Sequence, residues 1–200
     1  SKSLTEIMTK LEDCKYSIGL TGTLDGAQTH KLVLEGLFGA VNKVTSTRKL
    51  MDKKQLSNLV VRCLILKHTP DNCKMVASGK YQDEVDYLVS SKSRQNFIRN
   101  LALKLKGNTL VLFQLVEKHV KNLHNIIFAS PSKSRIRNLQ SIGRGLRLGD
   151  NKVNATLYDI ADDLTHKSKE NFTLKHFQER INIYTEEEFD YEMHNIDLKE

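Results

Sequence analysis

The sequence has no apolar run approaching the roughly 18–20 residues a membrane-spanning helix needs. Its first ten residues, SKSLTEIMTK, hold no apolar signal core, so secretion is not indicated. They also lack an initiator methionine, which predicts a chain that begins inside a longer protein. Neither a low-complexity stretch nor an internal repeat is visible. The three cysteines, Cys14, Cys63 and Cys73, form no CxxC pair, so neither a zinc site nor a disulfide framework follows and reduced thiols of a cytosolic protein are expected. The seven histidines are scattered. His119 and His124 are close in sequence but have no acidic or cysteine partner at ligand spacing, so no metal site is expected. No GxxxxGK[S/T] phosphate loop occurs anywhere.

What remains is an ordinary soluble composition. The 200 residues are 39% hydrophobic and 28% charged, enough for one good-sized domain or one domain plus part of another. The net charge is +7, and its distribution is uneven. From Thr185 to Glu200 seven acids face one base, so the first 184 residues hold 30 bases against 17 acids. Such a field attracts polyanions, although it also serves solubility.

Hydrophobic spacing places the elements. Leu4, Ile7, Met8 and Leu11 predict a helix over 3–14, with Ser3 and Glu6 as a capping box. Tyr16–Leu20 reads as a short strand running into the turn TGTLDG, and 32–38 is a further apolar patch. The polar stretch 43–59 reads as a connection between two packed units. LVVRCLILK (59–67), TLVLFQL (109–115), NIIFA (125–129) and ATLYDI (155–160) read as strands, the second buried on both faces. Residues 71–79 have loop composition. Helices are expected over 81–105, broken near 90–93, over 137–148 and over 172–191, the last with a solvated acidic face. Its aromatic residues Phe172, Phe177, Tyr184 and Phe189 suit a core better than a base-stacking platform. Strands alternating with helices predict an α/β fold with a mostly parallel sheet. Only eleven residues separate Phe113 from Asn125, short for the crossover that joins parallel neighbours.

The chemistry concentrates in QSIGRGLR, residues 140–147. Arginine presents a planar, permanently charged fork that fits phosphate oxygens two at a time. Arg144 and Arg147, three apart on a helix, share a face with Gln140, and Gly143 permits close approach of a phosphate or another backbone. Arginine pairs at this spacing also occur on plain basic helix faces. The whole pattern Q-x-x-G-R-x-x-R is much rarer.

That pattern resembles motif VI of superfamily 2 helicases. TGT at Thr21, Gly22 and Thr23 resembles their motif III, and TLVLFQ at 109–114 their motif IV. The stretch 121–152, KNLHNIIFASPSKSRIRNLQSIGRGLRLGDNK, is similar to the corresponding part of phage UvsW-type DNA helicases, and the likeness spans nearly the whole chain. It implies the end of a first RecA-like domain with its linker (1–57) followed by a second RecA-like domain (58–200). It also implies ATP bound between the two domains with Mg2+, the phosphate loop and acidic magnesium motif belonging to the first. Arg144 and Arg147 would then be catalytic arginine fingers, with Gln140 and Gly143 at the ATP beside them. Thr21, Gly22 and Thr23 would couple nucleotide state to domain movement. Phe113 and Gln114 would lie near the nucleic acid, and Lys133, Arg135 and Arg137, in a loop, would contact its phosphates.

The likeness implies an ATP-dependent DNA helicase of phage recombination, repair or replication, working on branched or duplex DNA in the host cytoplasm. Two other readings stay open: an RNA helicase of the same superfamily, and a basic nucleic-acid-binding module without motor function. The chain departs from the family in lacking the phosphate loop, a DExx box and the threonine-glycine motif V that precedes the segment resembling 121–129. That gap coincides with the short crossover, so residues are expected to be left out near 119–121.

Overall fold

The computed structural model describes residues 2–11, 13–21, 28–113, 123–130, 134–149 and 152–198. They form two compact units, 1–45 and 46–200.

The first unit contains α1 (Lys2–Thr9) and α2 (Gln28–Phe38). The patch 32–38 is thus helical, and it ends at Gly39, whose φ of +83° places it in the left-handed region while its N–H donates to the Glu35 carbonyl at 2.9 Å. Gly19 lies under the Phe38 ring, where an added Cβ would meet ring atoms at 3.0 Å. The strand expected over Tyr16–Leu20 does not form: these residues join no ladder, and Tyr16, Ile18 and Leu20 are 78%, 80% and 92% exposed. A strand needs neighbours to satisfy its backbone groups, and the described residues of this unit supply none.

The second unit is a five-stranded, wholly parallel sheet in the order β2-β3-β4-β1-β5. Its strands are β1 (Asn58–Lys67), β2 (Thr109–Leu112), β3 (Asn125–Phe128), β4 (Asn154–Asp163) and β5 (Asp190–Asp197). β1 and β4 lie inside the sheet, which explains their nearly continuous apolar runs. Leu59, Val61 and Cys63 of β1 face one side with Ile126, Phe128 and Leu157; Leu64 and Leu66 face the other with Ile127, Tyr158 and Ile160. The first side is covered by α3 (Thr47–Asp52), α7 (Arg135–Leu146) and α8 (Phe172–Glu186), the second by α6 (Lys92–Lys104). Helices therefore cover both faces of the parallel sheet, as expected for an α/β layered fold.

Several boundaries differ from expectation for physical reasons. Residues 46–57, expected in the connection, contain α3, capped by the Ser46 hydroxyl and anchored by buried Met51. The expected loop 71–79 contains α4 (Pro70–Val76), which starts with proline at its first turn and buries Cys73 and Val76. The break in 81–105 falls at Ser91, between α5 (Tyr81–Ser90) and α6, where the Ser91 hydroxyl caps α6. β2 is half-buried rather than buried on both faces, because it is an edge strand. The last predicted helix stops at Glu186, and the acidic segment beyond it is the exposed edge strand β5, not a helix face. Carboxylates on an exposed edge discourage further pairing. Phe177, Tyr184 and Phe189 are core residues, whereas Phe172 is 39% exposed.

β2 and β3 are adjacent and parallel, with Leu112 opposite Phe128, although only residues 113–124 join them. A parallel crossover takes about a dozen residues or more and usually a helix.

Candidate nucleotide and nucleic-acid sites

Helix α7 crosses the sheet from the carboxyl end of β3 back towards its amino edge. Over its 12 residues it is about 18 Å long at 1.5 Å per residue. Asn138, Ile142 and Leu146 face inward and are buried, while Gln140 and Gly143 are exposed and Arg144 is half-buried. This is the 3.6-residue period in its simplest use.

The two glycines do different work. An added Cβ at Gly145 would meet Ile126 Cδ1 at 2.6 Å, so Gly145 is what brings α7 close to β3. Gly143 has nothing within 4 Å of such a Cβ and leaves open space beside Arg144. Arg147 does not lie on the helix as the spacing suggested: α7 ends at Leu146, and Arg147 is the next residue, exposed. Among the described residues no acidic side chain pairs with Arg144 or Arg147. Two guanidinium groups with open space at Gly143 suit the terminal phosphate of a nucleotide.

The backbone of that corner is held from outside the helix. Ser57 donates its N–H to the Leu146 carbonyl at 2.9 Å and its hydroxyl to the Arg147 carbonyl at 3.5 Å. Lys152 Nζ donates to the Arg147 carbonyl at 3.0 Å and also to the Gly145 carbonyl. Lys152 is 3% exposed, and burial pushes its pKa down. Neither Ser57 nor Lys152 stood out in the sequence, since a lysine in a GDNK turn looks like a solvated loop residue.

Of the residues expected at nucleic acid, the described ones, Phe113, Arg135 and Arg137, fall at the other edge. Phe113 follows β2 at the carboxyl edge of the sheet and is 52% exposed. Arg135 and Arg137 lie in the first turn of α7, not in a loop as expected, at the carboxyl end of β3. Gln114, Lys133, Gly22 and Thr23 lie outside the described residues, and Thr21 is exposed in the first unit. The structure brings Gln140, Gly143 and Arg144 onto the outer side of α7, with Arg147 at its end. It separates them from Phe113 by the depth of the sheet.

Two buried ionic clusters belong to the fold. Arg180 forks onto Asp159 at 2.8 and 2.9 Å, and the Tyr184 hydroxyl donates to the same carboxylate at 2.7 Å. Burial alone would lower the Arg180 pKa, but Asp159 outweighs it and the shift is upward. Arg94 Nε donates to both Asp162 oxygens at 2.8 and 2.9 Å, with His68 Nε2 at 3.1 Å from Oδ1. The sequence does contain one string of DExD letters, Asp83-Glu84-Val85-Asp86, contrary to the reading that no DExx occurs. It lies inside α5, where Glu84 is buried and accepts the Phe172 and Thr173 N–H groups at 2.8 and 2.7 Å. Glu84 is therefore the anchor of the α8 N-terminus. Among the described residues no group of three His, Cys, Asp or Glu is placed to hold a metal ion, and no helix is long and apolar enough to cross a membrane.

No family model matches the chain. It is 27% identical over 264 residues to the ATP-dependent DNA helicase UvsW of Enterobacteria phage T4, a match taking in 98% of this chain and 52% of that protein. The crystal structure of T4 UvsW superposes with a TM-score of 0.63 at 25% identity, over 99% of this chain and 52% of that one. The chain thus spans about half the length of the relative it matches. By both sequence and fold, this chain is a homologue of the phage UvsW DNA helicase along nearly its whole length.

Proposed function

We propose that this chain is the nucleotide-closing half of an ATP-driven DNA motor. It comprises the end of a first RecA-like domain with its linker (1–57) and a second RecA-like domain (58–200). The observation that carries the reading is the Gln140–Arg147 corner: two guanidinium groups, no acidic partner among the described residues, and the open glycine Gly143 just before the first of them. ATP supplies the phosphoryl group that is transferred to water. Arg144 and Arg147 meet the charge that gathers on its terminal oxygens, and Gln140 and Gly143 line the approach. The phosphate loop and the Mg2+-binding acids would come from the remainder of the first domain, which this sequence does not include.

The nucleic-acid role goes to the opposite edge. Phe113, Gln114, Lys133, Arg135 and Arg137 would follow a DNA backbone there, with the positive end of the α7 dipole adding to their charge. One helix would then join the two sites. Thr21, Gly22 and Thr23 would pass nucleotide state to domain movement. Branched or duplex DNA in the host cytoplasm, during recombination, repair or replication, is the substrate and setting that fit a UvsW homologue.

The 264 matched positions exceed the 200 residues of this chain, leaving at least 64 positions of the match without a residue here. We place that gap between β2 and β3, near 119–121, where the crossover is short. Mass spectrometry of the peptide spanning 116–125 decides it: the contiguous mass means a shortened domain, and any other mass means intervening residues.

The motor reading is tested by ATP hydrolysis in the whole motor with branched DNA, duplex DNA or structured RNA added. Stimulation by DNA with strand separation supports it. Stronger stimulation by RNA moves the substrate to RNA, and no stimulation by either contradicts the motor.

A further inference from the structure

We propose that Lys152 is a positioning residue for Arg147, and that with Ser57 it fixes where the arginine pair points. The proposal rests on the nucleotide role given above to Arg144 and Arg147.

The two arginines are held differently. Arg144 sits inside the last turn of α7, where the helical ladder sets its backbone. Arg147 lies beyond the last helical residue, so the helix does not set its φ and ψ. Its carbonyl is instead gripped by Lys152 Nζ at 3.0 Å and by the Ser57 hydroxyl at 3.5 Å. The carbonyls on either side of Leu146 share the same ammonium, and the Leu146 carbonyl takes the Ser57 N–H at 2.9 Å. Three successive carbonyls at the end of α7 are thus fixed by two residues.

Both residues are tied to the central strands. Ser57 is fully buried and leads directly into β1. Lys152 pairs with Gly149, donating its N–H to the Gly149 carbonyl at 3.0 Å, and the following Val153 carbonyl accepts the Asn58 N–H at 3.0 Å. The corner is therefore braced against β1 and β4 rather than left to the helix end.

Ending a helix does not require this arrangement. A glycine beyond the last turn does it without burying an ammonium, which is costly to desolvate. A buried cation at the negative end of α7 makes sense where the following residue must be held in one orientation. Arg147 is that residue, with a clamped backbone and an exposed side chain.

The test uses Lys152→Met, Lys152→Arg, Ser57→Ala and Arg144→Ala. ATP turnover is measured in the whole motor, and the order of the Arg147 backbone amide is measured by 15N relaxation in the 200-residue chain. Lys152→Met should lower kcat about tenfold or more, since small misplacements of a reacting-site group are costly. It should leave KM for ATP within about twofold, because ground-state binding is not what it removes. Lys152→Arg, which keeps the buried donor, should restore most of the loss, and Ser57→Ala should give a smaller loss of the same kind. The Arg147 amide should lose order in Lys152→Met while amides of β1 and β4 keep theirs.

Wild-type kcat in Lys152→Met, where Arg144→Ala is inactive, would overturn the positioning role. If Lys152→Met does not fold, wild-type kcat and an unchanged Arg147 amide in Ser57→Ala would overturn it instead. Normal turnover in Arg144→Ala is a different failure: it removes the nucleotide reading, and with it the function of the clamp.

Discussion

Gly143 and Gly145 stand two residues apart on α7 and make opposite demands. Glycine inside a helix costs roughly 0.5–1 kcal/mol relative to alanine. At Gly143 nothing opposes a Cβ, so Gly143→Ala should raise stability to urea by about that amount while lowering ATP turnover, because the methyl enters the phosphate approach. Gly145→Ala should destabilise by about 1–3 kcal/mol, since buried Ile126 must move. A Gly143→Ala variant with full turnover would argue that the glycine faces only solvent. Gly143 stood out in the sequence through its motif, whereas the role of Gly145 shows only in the sheet it touches. The same scale separates the cysteines. Burial, with Asp159 nearby, pushes the Cys63 thiol up to about 12, and burial raises Cys73 as well. Alkylation of the native protein near neutral pH should therefore modify Cys14 alone, and all three only after unfolding, as intact mass would record.

At the scale of elements, what was legible is what local pattern dictates. The strands at 58–67, 125–128 and 154–163 announced themselves because a sheet buried on both faces demands continuous apolar runs. Helix α7 did so through its period, although Arg147 fell outside it. β5 was missed because an exposed edge strand carries polar and acidic residues, and DYEMHNID following a helix looks like more helix. α4 was missed because its seven residues are stabilised by packing against Leu88 and Leu164, not by composition. The ionic ties between elements were invisible too. Asp162 of β4 meets Arg94 of α6, a pairing 68 residues apart. Burial alone would raise the Asp162 carboxyl, yet Arg94 and His68 outweigh it and hold it below the usual carboxylate range. Its contribution is therefore present above the unfolded value of about 4 and is lost as pH falls through the lower folded value. Acid titration of stability should show a loss below about pH 4 that is reduced in Asp162→Asn. The Arg180–Asp159–Tyr184 cluster ties α8 to β4 in the same way. Asp159→Asn should cost about 3–5 kcal/mol in urea unfolding, because it leaves a buried guanidinium without its counter-charge.

For the whole molecule, the proposed division between a nucleotide edge and a nucleic-acid edge runs along α7. Its first turn carries Arg135 and Arg137 at the carboxyl edge of the sheet, and its last carries Arg144 beside the clamped Arg147. A rigid helix of about 18 Å can relate a polyanion at one edge to a nucleotide at the other without either site touching the other. The charge excess of the first 184 residues suits the first partner, and the spacing of the arginines suits the second. The measurement that bears most directly on this account is the paired determination of ATP turnover and DNA affinity for Arg144→Ala in the whole motor. Turnover should fall by about 10³–10⁵, the range known for arginine fingers, with DNA affinity essentially retained. Undiminished turnover, or a loss of DNA affinity that alone accounts for the fall, would contradict it.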